Sequence, residues 1–381
     1  MLERTVMNDE SVELFRQTAR RFFEDHAPDD KIDAWRDAGI VDRDLWREAG
    51  KLGLLCPSVD EAYGGAGGDF RHELVVIEEM GRRGLEGFGA AVHSGIVAPY
   101  ICELCGDAQK RKWLPSIVSG DAVLAIAMTE PDAGSDLKGI RTTARRDEDH
   151  YVISGQKTFI SNGLSADLIV VTCKTGEDNG RSQLSLIVVE TDGAEGFRRG
   201  RNLKKMGREA QDTSELFFDD VRVPVGNLLG EEGKGFRELT RFLPQERLVI
   251  AAMGLAMMER AIAETLDYVR TRKAFGQSLF DFQNTQFKLA ECDTQATVAR
   301  VLLDRCVEAH LEGKLDGVMA AKAKLWITET QCRVIDDCLQ LFGGWGYMDE
   351  YPISRLYRDA RIDRIHGGAS EIMKLIIARS L

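Results

Sequence analysis

The chain has 381 residues with a formal charge of −12, and 29% of them are charged and 44% hydrophobic; that length can bury a core around a small molecule, that charge disfavours general nucleic-acid binding, and that composition argues against disorder. The longest apolar runs, Ala122 to Met128 and Leu184 to Val189, fall far short of the roughly 20 residues that a membrane-spanning helix needs. The first residues mix acidic and apolar side chains and lack the basic-then-apolar profile of a targeting peptide, so a cytoplasmic protein is expected.

From Ser11 to about Gly120 apolar residues recur at helical spacing, which predicts an all-helical domain over residues 1–121. Its glycine-rich stretch, Tyr63-Gly64-Gly65-Ala66-Gly67-Gly68, is not followed by Lys-Ser/Thr, so it reads as a helix-to-helix turn and not as a phosphate cradle. Cys102 and Cys105 form a lone C-x-x-C without a second pair at zinc spacing. They read as two buried helix cysteines; no metal site and no disulfide is expected.

Over residues 122–230 the period changes to short runs rich in Val, Ile and Phe: Tyr151 to Ser154, Asp167 to Cys173, Leu184 to Glu190 and Leu216 to Val223. Turn residues separate these runs, which predicts a compact antiparallel β domain and not βαβ units. At its entry stands Ala127-Met128-Thr129-Glu130-Pro131-Asp132-Ala133-Gly134-Ser135-Asp136. Small and hydroxyl residues after a strand expose backbone amides suited to a ring system or a phosphate, although the same residues also make ordinary turns.

From 231 to 381 the helical period returns. Leu248, Leu255, Ile262 and Val269 recur every seven residues on one long helix that Pro244 is placed to begin. Further helices are expected at about Asn284 to Glu312, Asp316 to Phe342 and Ala369 to Ser380, giving a C-terminal four-helix bundle. The fold class is therefore α+β: helical, then β, then helical.

Four blocks now stand in one order: Ala127 to Asp136; Gly155-Gln156-Lys157-Thr158-Phe159-Ile160-Ser161-Asn162-Gly163; Arg272-Lys273-Ala274-Phe275-Gly276-Gln277 with Gln283; and Gln340 to Tyr347 followed by Tyr357 to Arg379. Together they resemble the acyl-CoA dehydrogenases along nearly the whole chain, and the long-chain type most closely. The resemblance implies that family's fold, FAD as cofactor, a homotetramer, an acyl-CoA substrate and electron-transferring flavoprotein as the electron acceptor in β-oxidation. It also implies that Met128, Thr129, Ser135, Phe159 and Ser161 line the flavin and pyrophosphate, with Ser135 also touching the substrate. Arg272, Gln283, Gln340, Gly343 and Gly344 match positions that hold the FAD of an adjacent subunit. A guanidinium and bare glycine backbone suit a diphosphate.

The reaction needs a carboxylate to take the α proton. Many members place it just before the glycine of the C-terminal motif, but this chain reads Arg364-Ile365-His366-Gly367-Gly368-Ala369-Ser370-Glu371, with glycine at 367. The long-chain and branched-chain types carry it at the start of the long helix, where this chain has Leu243-Pro244-Gln245-Glu246-Arg247. Glu246 is thus the expected base, with Arg247, Gly367 and Gly368 on the substrate, the Gly367 amide among the donors to the thioester oxygen, and Ala369 and Glu371 beside the cofactor. A carboxylate in a helix's first turn beside Arg247 keeps a low pKa until substrate expels water. His366 and Ala369 depart from the tyrosine and threonine common there. Two other readings stay open: an acyl-carrier-protein thioester or oxygen in place of CoA or the flavoprotein, and a flavin-binding assembly protein without catalysis.

Overall fold

The computed structural model describes residues 4–178 and 181–381. Six α-helices come first: α1 (Glu10–His26), α2 (Asp29–Ala38), α3 (Arg43–Lys51), α4 (Phe70–Arg83), α5 (Ala98–Leu104) and α6 (Asp107–Ser119). Local sequence sets their ends. The Asp9 carboxylate caps α1 through the Ser11 amide, Asp69 caps α4, and Gly39, Gly84 and Gly120 end α2, α4 and α6 in the left-handed region where a Cβ is strained. The Tyr63–Gly68 stretch is the turn leading into α4. A π-helix, Ala91–Val97, runs directly into α5, and it was not foreseen from the residues.

The middle strands are β1 (Leu124–Ala127), β2 (Thr143–Asp147), β3 (His150–Ser161), β4 (Leu168–Asp178), β5 (Arg181–Glu190), β6 (Phe197–Asn202), β7 (Thr213–Pro224) and β8 (Leu228–Leu229). They form one sheet in the order β6-β7-β3-β2-β4-β5-β8, with β1 pairing β4. The expectation of a purely antiparallel domain needs correction: β1 runs parallel to β4, and β2 meets β4 in parallel at Thr143 and Lys174. The long loop from Met128 to Arg141 returns the chain across the sheet, so the strands on either side of it can both lie beside β4 without a crossover helix. Leu168, Val170, Leu186 and Val188 pack against the helical domain, whereas Ile169, Val171, Ile187 and Val189 face the sheet's other core, the period-two alternation of a sheet buried on both faces.

After β8 comes α7 (Gly235–Thr271), 37 residues long, followed by a hairpin of β9 (Lys273–Ala274) and β10 (Gln277–Ser278). Then follow α8 (Gln283–Leu311), α9 (Gly317–Phe342), α10 (Pro352–Ala360) and α11 (Ser370–Ala378). Pro244 does not begin the long helix. It lies inside α7, which starts at Gly235, so the chain enters the bundle more than two turns earlier than the proline suggested. The seven-residue seam behaves as expected: Leu248, Leu255, Ile262 and Val269 are all buried, and α7 packs on α4, α8 and α9 at once. Buried ion pairs join the two helical parts, with Glu78 of α4 held by Arg4, Arg16 and Arg300. Among the described residues, no helix is long and apolar enough to cross a membrane.

Candidate active site

Glu246 lies about three turns into α7, so the dipole of the helix start no longer governs it. Its side chain is buried, and one oxygen, Oε1, accepts a 2.6 Å hydrogen bond from the Tyr100 hydroxyl on α5. Oε2 has no hydrogen-bond partner among the described residues. Burial raises the Glu246 carboxyl to about 7, against the lowering effects of the Tyr100 hydrogen bond and the Arg247 charge. The expectation of a low pKa until substrate arrives is therefore overturned, because the protein interior has already removed the water.

The π-helix borders this carboxylate. Gln245 Nε2 donates to the Gly95 carbonyl at 2.9 Å, and a Cβ at Gly95 would stand 2.9 Å from Val249 Cγ2, so glycine allows α7 to close on the π-helix. His93 Nδ1 accepts from the Leu124 amide at 3.0 Å, and Asn162 Nδ2 donates to both the Gly89 and Leu124 carbonyls. Buried between these elements, His93 is pushed down to about 4 and so is neutral at physiological pH. Helical domain, sheet and bundle thus meet beside Glu246.

Gly367 and Gly368 have φ of 61° and 95°, values that glycine tolerates and other residues resist. A Cβ at Gly367 would fall 2.2 Å from Ile250 Cδ1, one turn beyond Glu246 on the same face of α7. A side chain at position 367 and Ile250 on the Glu246 face of α7 would therefore compete for one volume. The turn is tied down by Lys324 of α9, whose Nζ donates to the Gly368 carbonyl at 2.8 Å and whose pKa burial lowers to about 8. Arg247, also buried, donates to the Gly317 carbonyl at 3.3 Å, and its Nε has no hydrogen-bond partner among the described residues. Ala369 caps α11 and Glu371 is exposed in its first turn.

On the sheet, Met128 and Thr129 follow β1, and their carbonyls accept from Lys157 Nζ at 3.0 Å and the Thr158 amide at 2.9 Å. Glu130 completes a buried staple: it takes Lys157 at 2.8 Å and the amides of Arg141 and Thr142. Next to it β3 bulges, and Phe159, with φ of 58°, is 67% exposed beside the half-buried Ser161. Ser135 is exposed in the loop above.

The third group lies elsewhere. Arg272 caps α7 at its far end, about 38 Å from Glu246 along the helix axis. The Tyr268 ring stacks on Phe342 at 4.2 Å, which brings Arg272 close to Gly343 and Gly344. Gln283 and Gln340 are exposed, Arg272 has no ion pair among the described residues, and a Cβ at Gly276, Gly343 or Gly344 would meet nothing within 4 Å. Phe275 is 96% and Tyr347 86% exposed. One chain therefore carries its predicted site residues in three places, and Gly367 lies against Ile250, one turn from Glu246 on α7.

These residues fit a split flavin site: an uncovered ring and hydroxyl on the sheet, and, at the bundle's far end, bare glycine backbone with a guanidinium that has no ion pair among the described residues. A cleft of about 410 Å³ among α2, α4 and α10 is lined by charged groups such as Arg83, Arg260 and Glu264, and neither Glu246 nor Tyr100 is among its lining residues. Cys102 is half-buried in α5 and Cys105 lies just past its end, both as thiols, so only Cys105 is buried as expected and neither forms a disulfide. Sequence reasoning did not find Tyr100, Lys324 or the π-helix. A lysine among Ala320, Ala321, Ala323 and Ile327 was a usable signal for Lys324; Tyr100 offered none.

A helical domain, a sheet carrying an exposed aromatic bulge, and a helix bundle closing on one buried carboxylate define the class to which solved structures can be compared. An acyl-CoA dehydrogenase from Geobacillus kaustophilus superposes with a TM-score of 0.94 at 47% identity, covering 98% of each chain. A glutaryl-CoA dehydrogenase from Mycobacterium smegmatis in complex with FADH2 superposes with a TM-score of 0.91 at 26% identity, covering 98% of this chain and 95% of that one. The mitochondrial long-chain specific acyl-CoA dehydrogenase of Sus scrofa is 45% identical over 372 residues, 97% of this chain and 86% of that one. Models for the N-terminal, middle and C-terminal domains of acyl-CoA dehydrogenases match residues 9–121, 125–221 and 233–381. The chain belongs to the acyl-CoA dehydrogenase family, and it is an oxidoreductase of that family.

Proposed function

We propose that this chain is an FAD-dependent dehydrogenase of long-chain or branched acyl-CoA thioesters, with Glu246 as the base that takes the α proton. Bound FAD supplies the acceptor for the hydride that leaves the β carbon. Glu246 supplies the other half: a buried carboxylate whose pKa near neutrality makes it a stronger base than an exposed glutamate. The Gly367 amide, in a turn held by Lys324, is the donor for charge developing on the thioester oxygen. Met128, Thr129, Phe159 and Ser161 would hold the ring of the cofactor, with Ser135, Ala369 and Glu371 at its margins. Arg272, Gln283, Gln340, Gly343 and Gly344 would hold the diphosphate half of the cofactor of a neighbouring subunit.

That division supports a homotetramer, since Arg272 lies about 38 Å along α7 from Glu246 within one chain. Electrons then pass to electron-transferring flavoprotein. The observation that carries the reading is the Glu246 carboxylate, buried on the α7 face whose Ile250 lies against Gly367. The test is anaerobic titration of the flavin-loaded protein with saturated acyl-CoAs of increasing length and branching. Rapid bleaching of the flavin absorbance by one class supports the reading and ranks the substrates; no bleaching by any acyl-CoA defeats it.

A further inference from the structure

We propose that Tyr100 is a positioning residue for the base: its hydroxyl holds Glu246 Oε1 and leaves Oε2 as the oxygen that receives the substrate proton. The inference rests on Glu246 being the base, and the geometry singles out Tyr100 independently of that role. Tyr100 is fully buried, and among the described residues its hydroxyl's one hydrogen-bond partner is Oε1, at 2.6 Å. A buried phenol without a partner is costly, so the pair is mutually required. The hydroxyl can only donate here, because burial and the carboxylates of Glu246 and Glu238 keep the phenol protonated.

Three contacts aim that hydroxyl. The ring of Tyr100 packs on Phe242, one turn before Glu246 on α7, with centroids 4.2 Å apart. Pro99 sits in the first turn of α5, immediately before Tyr100, and fixes the backbone at the helix start. The π-helix Ala91–Val97 precedes it, and its wider turn rotates every later side chain relative to an uninterrupted α-helix, which decides the face that Tyr100 presents. The π-helix is itself locked onto α7 through Gln245 and Gly95. The charged group that acts on Glu246 besides Tyr100 is Arg247 on the same helix, and Glu238, also on α7, faces Tyr100.

A donor that grips one carboxylate oxygen restrains the side chain and stabilises the ionised form. Without it the carboxyl becomes a stronger base but is ionised only at higher pH. The signature is specific: flavin reduction lost at low pH and recovered at high pH, with KM little changed. A structural defect would lower the rate at every pH.

The experiment compares Tyr100→Phe, which keeps the ring and its packing, with the unaltered protein and with Glu246→Gln, all flavin-loaded. Difference infrared spectroscopy follows the Glu246 carboxyl against pH, its band assigned by disappearance in Glu246→Gln. Stopped-flow bleaching by a saturated straight-chain acyl-CoA gives the pH profile of the reaction. In Tyr100→Phe the carboxyl is expected to titrate about one to two pH units higher, the scale of a hydrogen bond to a charged group. Flavin reduction at about pH 6 should fall about tenfold or more, and by about pH 9 it should return to the unaltered protein's rate or exceed it. A carboxyl that titrates at the unaltered pH overturns the proposal, whether the rate is unchanged or is lowered equally at all pH values. Flavin reduction that survives Glu246→Gln defeats the base assignment instead, and the infrared titration still decides whether Tyr100 holds the carboxylate.

Discussion

The two ends of α7 make opposite use of one helix. Around Glu246 everything is closed: the carboxylate is buried, Tyr100 grips it, Ile250 fills the space at Gly367, and Lys324 pins the turn. Around Arg272 everything is open: a guanidinium without an ion pair among the described residues, bare glycines, and Phe275 and Tyr347 almost wholly exposed. The first end is finished by one chain, so its chemistry can be tuned by burial. The second leaves a guanidinium, glycine backbone and two aromatic rings uncovered, which fits the cofactor and neighbouring subunit proposed above.

The sharpest way to break this contrast is Glu246→Gln, which should lower acyl-CoA-driven bleaching by about 10³-fold while FAD stays bound. Unchanged bleaching would mean that the closed end is only packing. At the open end, Arg272→Ala should weaken FAD binding about 10- to 100-fold, measured by flavin release on dilution. Because Arg272 has no ion pair among the described residues, the melting temperature of the flavin-free protein should not move; a large drop would show that Arg272 belongs to the fold.

The pH profile separates the ends further. Glu246 must be ionised to act, and burial raises it to about 7, so the rate should fall about tenfold per unit as pH drops below that value. A limb near the ordinary glutamate range would show that the carboxylate is not desolvated in the working protein. The smallest effect is expected at Gly367→Ala, about 1–2 kcal/mol of stability for a side chain at φ of 61°, read from the urea midpoint. Adding Ile250→Val to that variant should restore part of the loss if the Ile250 methyl is what the new Cβ meets.

What the amino-acid pattern determined by itself was whatever depends on local periodicity and on groups of residues close together in the chain. The change from period 3.6 to period 2 and back marked the helical, sheet and bundle regions, and the seam Leu248, Leu255, Ile262 and Val269 marked the core face of α7. A vacant position at 367 with a carboxylate at 246 was also legible, because both stand in recognisable blocks. Local signals misled at Pro244, a residue that suits a first turn but here sits inside a helix that packing on α4, α8 and α9 holds together. They misled again on the charge state of Glu246, since a helix dipole can be read along the chain and desolvation cannot. Tyr100 lies 146 residues away from Glu246, on a helix whose rotation a π-turn sets. Only the folded chain could decide that contact, because burial and the direction of a side chain depend on what packs around it.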